Sequence, residues 1–475
     1  MALALCLAVA CVLRVWASRD DFVIDEIWSY SIARSLSSAW EVFTLICSNS
    51  HILNTLYLYL LGPGNETFYR WPSLIAGMLT VLLIVRAARP GGFVVGLIAA
   101  LLSGLSYPLV VYSAEARGYA VAALFGLLAY LAVRDPQSSS QRWRAPFFWC
   151  CMTLGLLAQV SFVIVYASIT AWLVYRDFRF SPSRREAVAR LIRFNLVPLV
   201  LAMVFYVGYV RRLVVFWGEV QPIGHALLSL LALPAGAPEK GWLAVAGAIG
   251  VSVVCLSGIW HLWKRGCLEW LLYLCVLFVV PPLSFVAAKT PVIALRFFFV
   301  CLPFFYLLVA ETLAGWYGHS RVGKVAVLTV VLLFAAGSLS QDINLIKVGR
   351  GSYYPALLYM AEQTPGNIVT VASDHDFRNK LIVDFYARHL PTPKQVVYVD
   401  HKDIVRGDGP AWLITHELDT GYQPPRELEA KGGKYSLVRS YPYCGISGFS
   451  WFVYRRQLTP GVAPRDALGE EGDRS

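Results

Sequence analysis

Between residue 1 and about residue 341 the chain returns repeatedly to apolar runs, near 1–17, 68–86, 92–112, 119–134, 145–158, 160–175, 194–211, 241–263, 268–287, 296–317 and 323–341. Inside a bilayer no water satisfies exposed N–H and C=O groups, so such runs must close their hydrogen bonds internally, as helices. The composition agrees. Apolar residues make up 57% and charged residues 15% of the chain, against about 25% charged in a soluble domain. The fold class read from this pattern is a polytopic α-helical membrane protein of about eleven transmembrane helices, several of the runs being shorter than the roughly 20 residues a perpendicular helix needs. Residues 1–17 lack the basic stretch and the small-residue cleavage site of a secretory signal, so they count as the first span.

The net charge of +11 forms no continuous basic patch of the kind that binds nucleic acid. It falls instead in alternate loops: Arg86 and Arg89; Arg134, Arg142 and Arg144; Arg176, Arg179, Arg184, Arg185, Arg190 and Arg193; Lys264 and Arg265; Arg321 and Lys324. Basic loops face the cytoplasm, which puts the other loops outside. This alternation requires His51–Leu61, too short to cross, to be a re-entrant or surface helix. Most of the ten cysteines lie in or beside apolar runs without metal-ligand spacing. Cys47 and Cys444 fall outside, and a disulfide between them is left open.

Carboxylates gather in the first outer loop, Asp20–Asn54, within an outer segment spanning 18–67. Asp25 and Glu26 stand side by side shortly after the first run, where an acid pair stays hydrated and ionised. Ile27, Ile32, Ala33 and Leu36 share one side of a helical repeat, and Trp28 and Tyr30 suit an interface. His51 and Asn54 sit on adjacent turns of the next short helix and face the same cavity as the acids. A solvated loop with no function explains the acids alone about as well. In the second outer loop, SAEARGYA, Glu115 and Arg117 occur where topology disfavours positive charge, and Lys289 and Arg296 do so in the outer segment Ala288–Arg296, between the runs 268–287 and 296–317. A local ion pair and snorkelling to headgroups are the plain accounts. The sharper one is that Arg117, Lys289 and Arg296 converge on an anion, since guanidinium groups match phosphate oxygens.

From Asp342 the composition becomes that of a soluble domain. YYPALLYMAEQ and RNKLIVDFYARHL read as helices, IVTVAS, QVVYV and AWLITH as strands, PPRELEAKGG as another helix, and YSLVRSY and WFVYRR as closing strands. The expected organisation is a membrane domain over 1–341, a small outer α/β domain over 342–458 and a disordered tail over 459–475.

DEIWSYSIAR, SHILNTLYLYLLG, SAEARGYAVA and RFFFVCLPFFYLLVAETL together resemble the GT-C fold glycosyltransferases that use polyprenyl-phosphate sugars. They are similar to bacterial protein O-mannosyltransferases and lipid A aminoarabinose transferases. The chain departs from that pattern at Ile52 and Leu53, which follow His51 where relatives have prolines, and at Gln159 and Ser161, where relatives carry a Thr-His pair. The resemblance implies an outward-facing site in the cytoplasmic membrane of a bacterium, a polyprenyl-phosphate sugar donor, inversion at the anomeric carbon, and Asp25 as general base. The partners would be the lipid donor and a glycan, lipid or protein acceptor. On this reading Arg117, Lys289 and Arg296 bind the donor phosphate. Glu115, Tyr119, His51 and Asn54 hold substrate. Glu26 is open to three roles: raising the pKa of its neighbour, holding a divalent cation, or holding the acceptor. The competing class is a non-catalytic flippase or transporter of lipid-linked sugar; midplane charges and paired broken helices would favour it. An inactive scaffold on the same fold also stays open.

Overall fold

The computed structural model describes residues 1–47, 49, 51–134, 141–213, 222–288, 293–391, 393–404, 409–430 and 432–457. The chain divides into two compact units, Met1–Lys347 and Val348–Ser475. The tail expected over 459–475 lies outside the described residues.

The first unit is helical, and a helical segment stands at each expected span: Ala2–Ala17, Trp71–Ala88, Phe93–Ser113, Tyr119–Arg134, Gln141–Ala158, Val163–Phe180, Arg184–Gly208, Trp242–Lys264, Glu269–Ala288, Leu295–His319 and Arg321–Val348. Among the described residues seven helices are long and apolar enough to cross a membrane, or eight if the bent pair Phe93–Leu105 and Tyr107–Ser113 counts as one. That is fewer than the eleven expected. Tyr119–Arg134, for example, has 16 residues, about 24 Å at 1.5 Å per residue. It is largely buried against its neighbours, so packing within the bundle supports it.

The bend has a clear cause. Pro108 has no N–H to offer the Gly104 carbonyl one turn back. Arg14, fully buried, supplies the missing donors: Nη1 donates to Gly104 O at 2.9 Å and Nη2 to Ser103 O at 3.0 Å. A cation on the orphan carbonyls of a helix C-terminus is electrostatically favourable.

The helices run between two chemically distinct ends. At one, Arg134 Nη1 donates to Ala87 O at 2.7 Å and Arg144 Nε to Ala132 O at 2.9 Å, and Arg134 Nε lies 4.0 Å from Glu269. At the other stand Asp25, His51, Arg70, Arg117 and Arg296. The helices between them show large apolar side chains outward, among them Leu199, Met203, Ile249, Val253, Leu332 and Leu333, the surface that lipid covers. Two short helices lie at the acid-bearing end, Ile24–Ser35 and Ile52–Leu61. The second has 10 residues, about half a bilayer in length. A further short helix, Ile223–Ala232, lies between the expected spans 194–211 and 241–263.

The second unit carries a six-stranded sheet, β1 Ile368–Ser373, β2 Gln395–Tyr398, β3 Trp412–Glu417, β4 Glu427–Ala430, β5 Gly433–Tyr441 and β6 Ser450–Arg456, in the order β2-β1-β3-β6-β5-β4. β1 is parallel to β2 and β3, and the remaining pairings are antiparallel. The helices Tyr353–Gln363 and Asp376–Ala387 fall where expected. PPRELEAKGG does not form a helix. Glu427–Ala430 pairs antiparallel with β5, Leu428 opposite Tyr435, and Leu428 and Ala430 pack on the Tyr435–Phe452–Tyr454 cluster. Gly432, at φ 75°, turns the hairpin, a conformation glycine adopts without strain. Pairing and burial of alternate residues thus outweigh the helix propensity of Glu, Leu and Ala.

Candidate active site

Asp25 and Glu26 open the Ile24–Ser35 helix. Its N-cap, Val23, has no polar side chain, and Glu26 closes the cap from inside by accepting Val23 N–H on Oε2 at 3.0 Å. Carboxylates in a first turn also suit the positive end of the helix dipole. Neighbouring residues on a helix point about 100° apart, and the two acids meet different partners.

Glu26 turns inward and is 2% exposed. Arg70, the N-cap of the Trp71–Ala88 helix, grips it with two parallel bonds, Nε to Oε1 at 2.8 Å and Nη2 to Oε2 at 2.7 Å. Oε1 also accepts Ala116 N–H at 2.7 Å. Arg70 spends its other donors on the carbonyls of Ser18, Asp20 and Asp21, at 2.8, 2.6 and 2.8 Å, and its guanidinium stacks 4.3 Å from the Phe22 ring. All five N–H groups of this side chain are therefore used in holding the acid loop. The sequence reading passed over Arg70. The signal was there: a cation at the start of an apolar run, 44 residues from an acid that needs a partner.

Asp25 turns toward the end of the bundle. Its Oδ2 accepts from Arg117 Nη1 at 2.6 Å and Arg296 Nη1 at 3.0 Å. Exposure grades across the trio, with side chains 7% exposed at Arg117, 25% at Asp25 and 34% at Arg296. Each remaining nitrogen of Arg117 is engaged, Nη2 with Asn49 Oδ1 at 2.9 Å and Nε with His51 Nε2 at 3.2 Å. Asn49 completes the frame, donating through Nδ2 to Asp25 O at 2.8 Å and Ser29 Oγ at 2.9 Å. It too went unremarked in the sequence reading, because an amide two residues from His51 carries no pattern of its own.

Burial, with the Arg117 charge beside it, pushes the His51 pKa down to about 3. The ring is therefore neutral. Its Nε2 faces a guanidinium that can only donate, so the proton sits on Nδ1, which donates to Ala158 O at 3.1 Å.

The EARGY loop is held from several elements. Ala116 O accepts from Asn54 Nδ2 at 2.7 Å, and Arg117 O accepts from Ser73 Oγ at 2.7 Å. At Gly118 a Cβ would stand 1.9 Å from Ala158 O, so only glycine allows this approach. Glu115 is buried in the loop, and Tyr119 packs edge-on against His51 at 4.8 Å and Tyr112 at 5.2 Å. The structure thus brings Asp25, His51, Asn54, Arg117, Tyr119 and Arg296 to one place. It separates Glu26, whose carboxylate is committed to Arg70. Arg117, expected to bind the donor phosphate, donates to Asp25, Asn49 and His51. Lys289 lies outside the described residues. Cys47 and Cys444 are free thiols, each part-buried. Among the described residues no group of three or more His, Cys, Asp or Glu side chains could hold a metal ion.

No family model matches the sequence, and no curated protein matches it. Among solved structures the chain is similar to ArnT from Cupriavidus metallidurans bound to undecaprenyl phosphate, at 15% identity over 95% of this chain and 97% of that one, with a TM-score of 0.49. It is similar as well to the oligosaccharyltransferase AglB from Archaeoglobus fulgidus in complex with an inhibitory peptide and a dolichol-phosphate, at 12% identity over 87% and 69%, with a TM-score of 0.47. Likeness of this degree says nothing about what the chain does.

Proposed function

We propose that the protein is an inverting membrane glycosyltransferase that moves a sugar from a polyprenyl-phosphate donor to an acceptor hydroxyl of a glycan, lipid or protein. The observation that carries this reading is the Asp25 carboxylate, part-exposed at one end of the helical domain and flanked by a fixed guanidinium, Arg117, and a more exposed one, Arg296. A base and a cation side by side are what transfer from a sugar phosphate needs. The acceptor oxygen attacks the anomeric carbon from the face opposite the phosphate and gives its proton to Asp25. The carbon–oxygen bond to phosphate breaks, and its electron pair leaves on the polyprenyl phosphate, where Arg296 stabilises the charge. Proton transfer to a positioned base contributes roughly 10²- to 10⁴-fold in rate, and preorganised cations supply much of the remainder.

Arg117, Asn49 and His51 are positioning residues on this reading. The neutral His51 leaves the Arg117 charge undiminished, and Asn49 fixes both the Asp25 backbone and the Arg117 fork. Asn54 and the EARGY loop set the depth of Arg117. Glu26 and Arg70 hold the acid loop in place and take no part in the proton transfer. The chemistry sits on the outer side of the cytoplasmic membrane, opposite the arginine-rich end that the positive-inside rule assigns to the cytoplasm. A transporter of lipid-linked sugar would place its ionisable groups near the midplane, whereas here base and cations gather at one end.

The test is mass spectrometry of lipids retained by the detergent-purified protein, with and without Arg296→Ala. Polyprenyl phosphate, free or carrying a sugar, is expected in the parent and depleted several-fold in the variant. Bulk phospholipid alone after purification from polyprenyl-phosphate-rich membranes, with none bound on adding it back, would remove the donor from this reading.

A further inference from the structure

Asp25 Oδ2 carries two guanidinium donors, Arg117 Nη1 at 2.6 Å and Arg296 Nη1 at 3.0 Å. An oxygen so occupied is badly placed to accept a proton from a third group. The two donors are not equivalent. Arg117 is anchored through Asn49 Oδ1 and His51 Nε2 as well as Asp25, and is almost fully buried. Arg296 makes its single hydrogen bond among the described residues to Asp25, and a third of its side chain faces solvent. Moving Arg117 would break three contacts, while moving Arg296 breaks one. Their rings echo the difference, Tyr119 beneath Arg117 being buried and Phe297 beneath Arg296 a local neighbour in the same short helix.

We infer that Arg296 is a shared cation, held by Asp25 while the donor site is empty and passing to the donor phosphate when it binds, so that Asp25 Oδ2 sheds one of its two guanidinium donors only in a loaded site. The inference rests on the donor proposed above. Charge drives the exchange in both directions. A phosphate and Asp25 compete for one guanidinium, and bidentate pairing with phosphate oxygens is a strong form of that contact. During transfer Asp25 takes the acceptor's proton and loses its charge, while the departing phosphate gains one, so Arg296 stays with the leaving group. When Asp25 gives up the proton its charge returns, Arg296 is drawn back, and the product loses its grip. Arg296 would thereby couple product release to resetting of the base.

A double-mutant cycle tests this. Binding of undecaprenyl phosphate to the full-length protein in detergent is measured for the parent, Asp25→Asn, Arg296→Ala and the double variant. Asp25→Asn keeps the side-chain shape and ends the competition for Arg296, so it should tighten binding about tenfold, a usual size for coupled neighbours. The gain should vanish when Arg296 is Ala and partly return with Arg296→Lys. A gain of equal size with and without Arg296 would mean simple charge repulsion between Asp25 and the phosphate, and would overturn the exchange. So would no gain at all. If the parent fails to bind undecaprenyl phosphate while remaining folded by thermal melting, the donor assignment falls, and the exchange with it.

Discussion

A carboxylate serves as a base only if its lone pairs can be released, and on that criterion Asp25 and Glu26 have opposite fates. Glu26 is buried and bound by Arg70 through both oxygens, with the Val23 and Ala116 amides filling what is left. Removing one member of a buried pair leaves an uncompensated charge, at about 3–5 kcal/mol. Glu26→Gln is therefore expected to lower stability by about that amount, read by chemical denaturation or as a lower melting temperature. Asp25→Asn, at a part-exposed carboxylate, should lower stability by less than Glu26→Gln and reduce transfer by about 10² or more. A Glu26→Gln protein as stable as the parent would show that the Arg70 clasp is not what holds the loop.

At the scale of elements, the neutral His51 ties three segments together: its own helix start, the end of the Gln141–Ala158 helix and the EARGY loop. The folded ring has a pKa of about 3 against an ordinary value of 6.5. Between those two pH values the unfolded chain binds a proton that the folded chain refuses, so stability falls as pH drops through that window and is unaffected above it. Replacing His51 by Gln should flatten the acid limb of a plot of melting temperature against pH. An unchanged limb would mean that other groups carry it. The helices were legible in the sequence because burial in lipid demands long apolar runs. The helix Ile52–Leu61 was legible as a short one because its apolar run is too brief to cross a bilayer. Less could be read where a partner lies far along the chain. Arg70 finds Glu26 across 44 residues, Arg14 repairs the break at Pro108 from the first helix, and β4 is a strand only because β5 lies beside it. Of the site, Asp25, His51, Arg117 and Arg296 stood out as charges or imidazole at outer loops. That Arg117 would turn to protein groups was not legible, since nothing in spacing says which acceptors a fork will meet.

For the whole molecule, the alternation of basic loops along the sequence predicts that Arg185 faces the cytoplasm and Asn367 the outside. Single cysteines at the exposed positions Arg185 and Asn367, in a cysteine-depleted protein, should label differently with an impermeant maleimide on intact cells. Only Asn367→Cys should react. Equal labelling would end this topology. The central claim is that the protein performs transfer with Asp25 as base. It is tested most directly by incubating the purified parent and Asp25→Asn with a membrane lipid extract containing polyprenyl-phosphate sugars and their acceptors, and following release of free polyprenyl phosphate by mass spectrometry. The parent is expected to release it, and Asp25→Asn to do so at least about 10²-fold more slowly while still binding the donor. Equal release by both proteins, or donor bound by the parent and never consumed, would contradict the account.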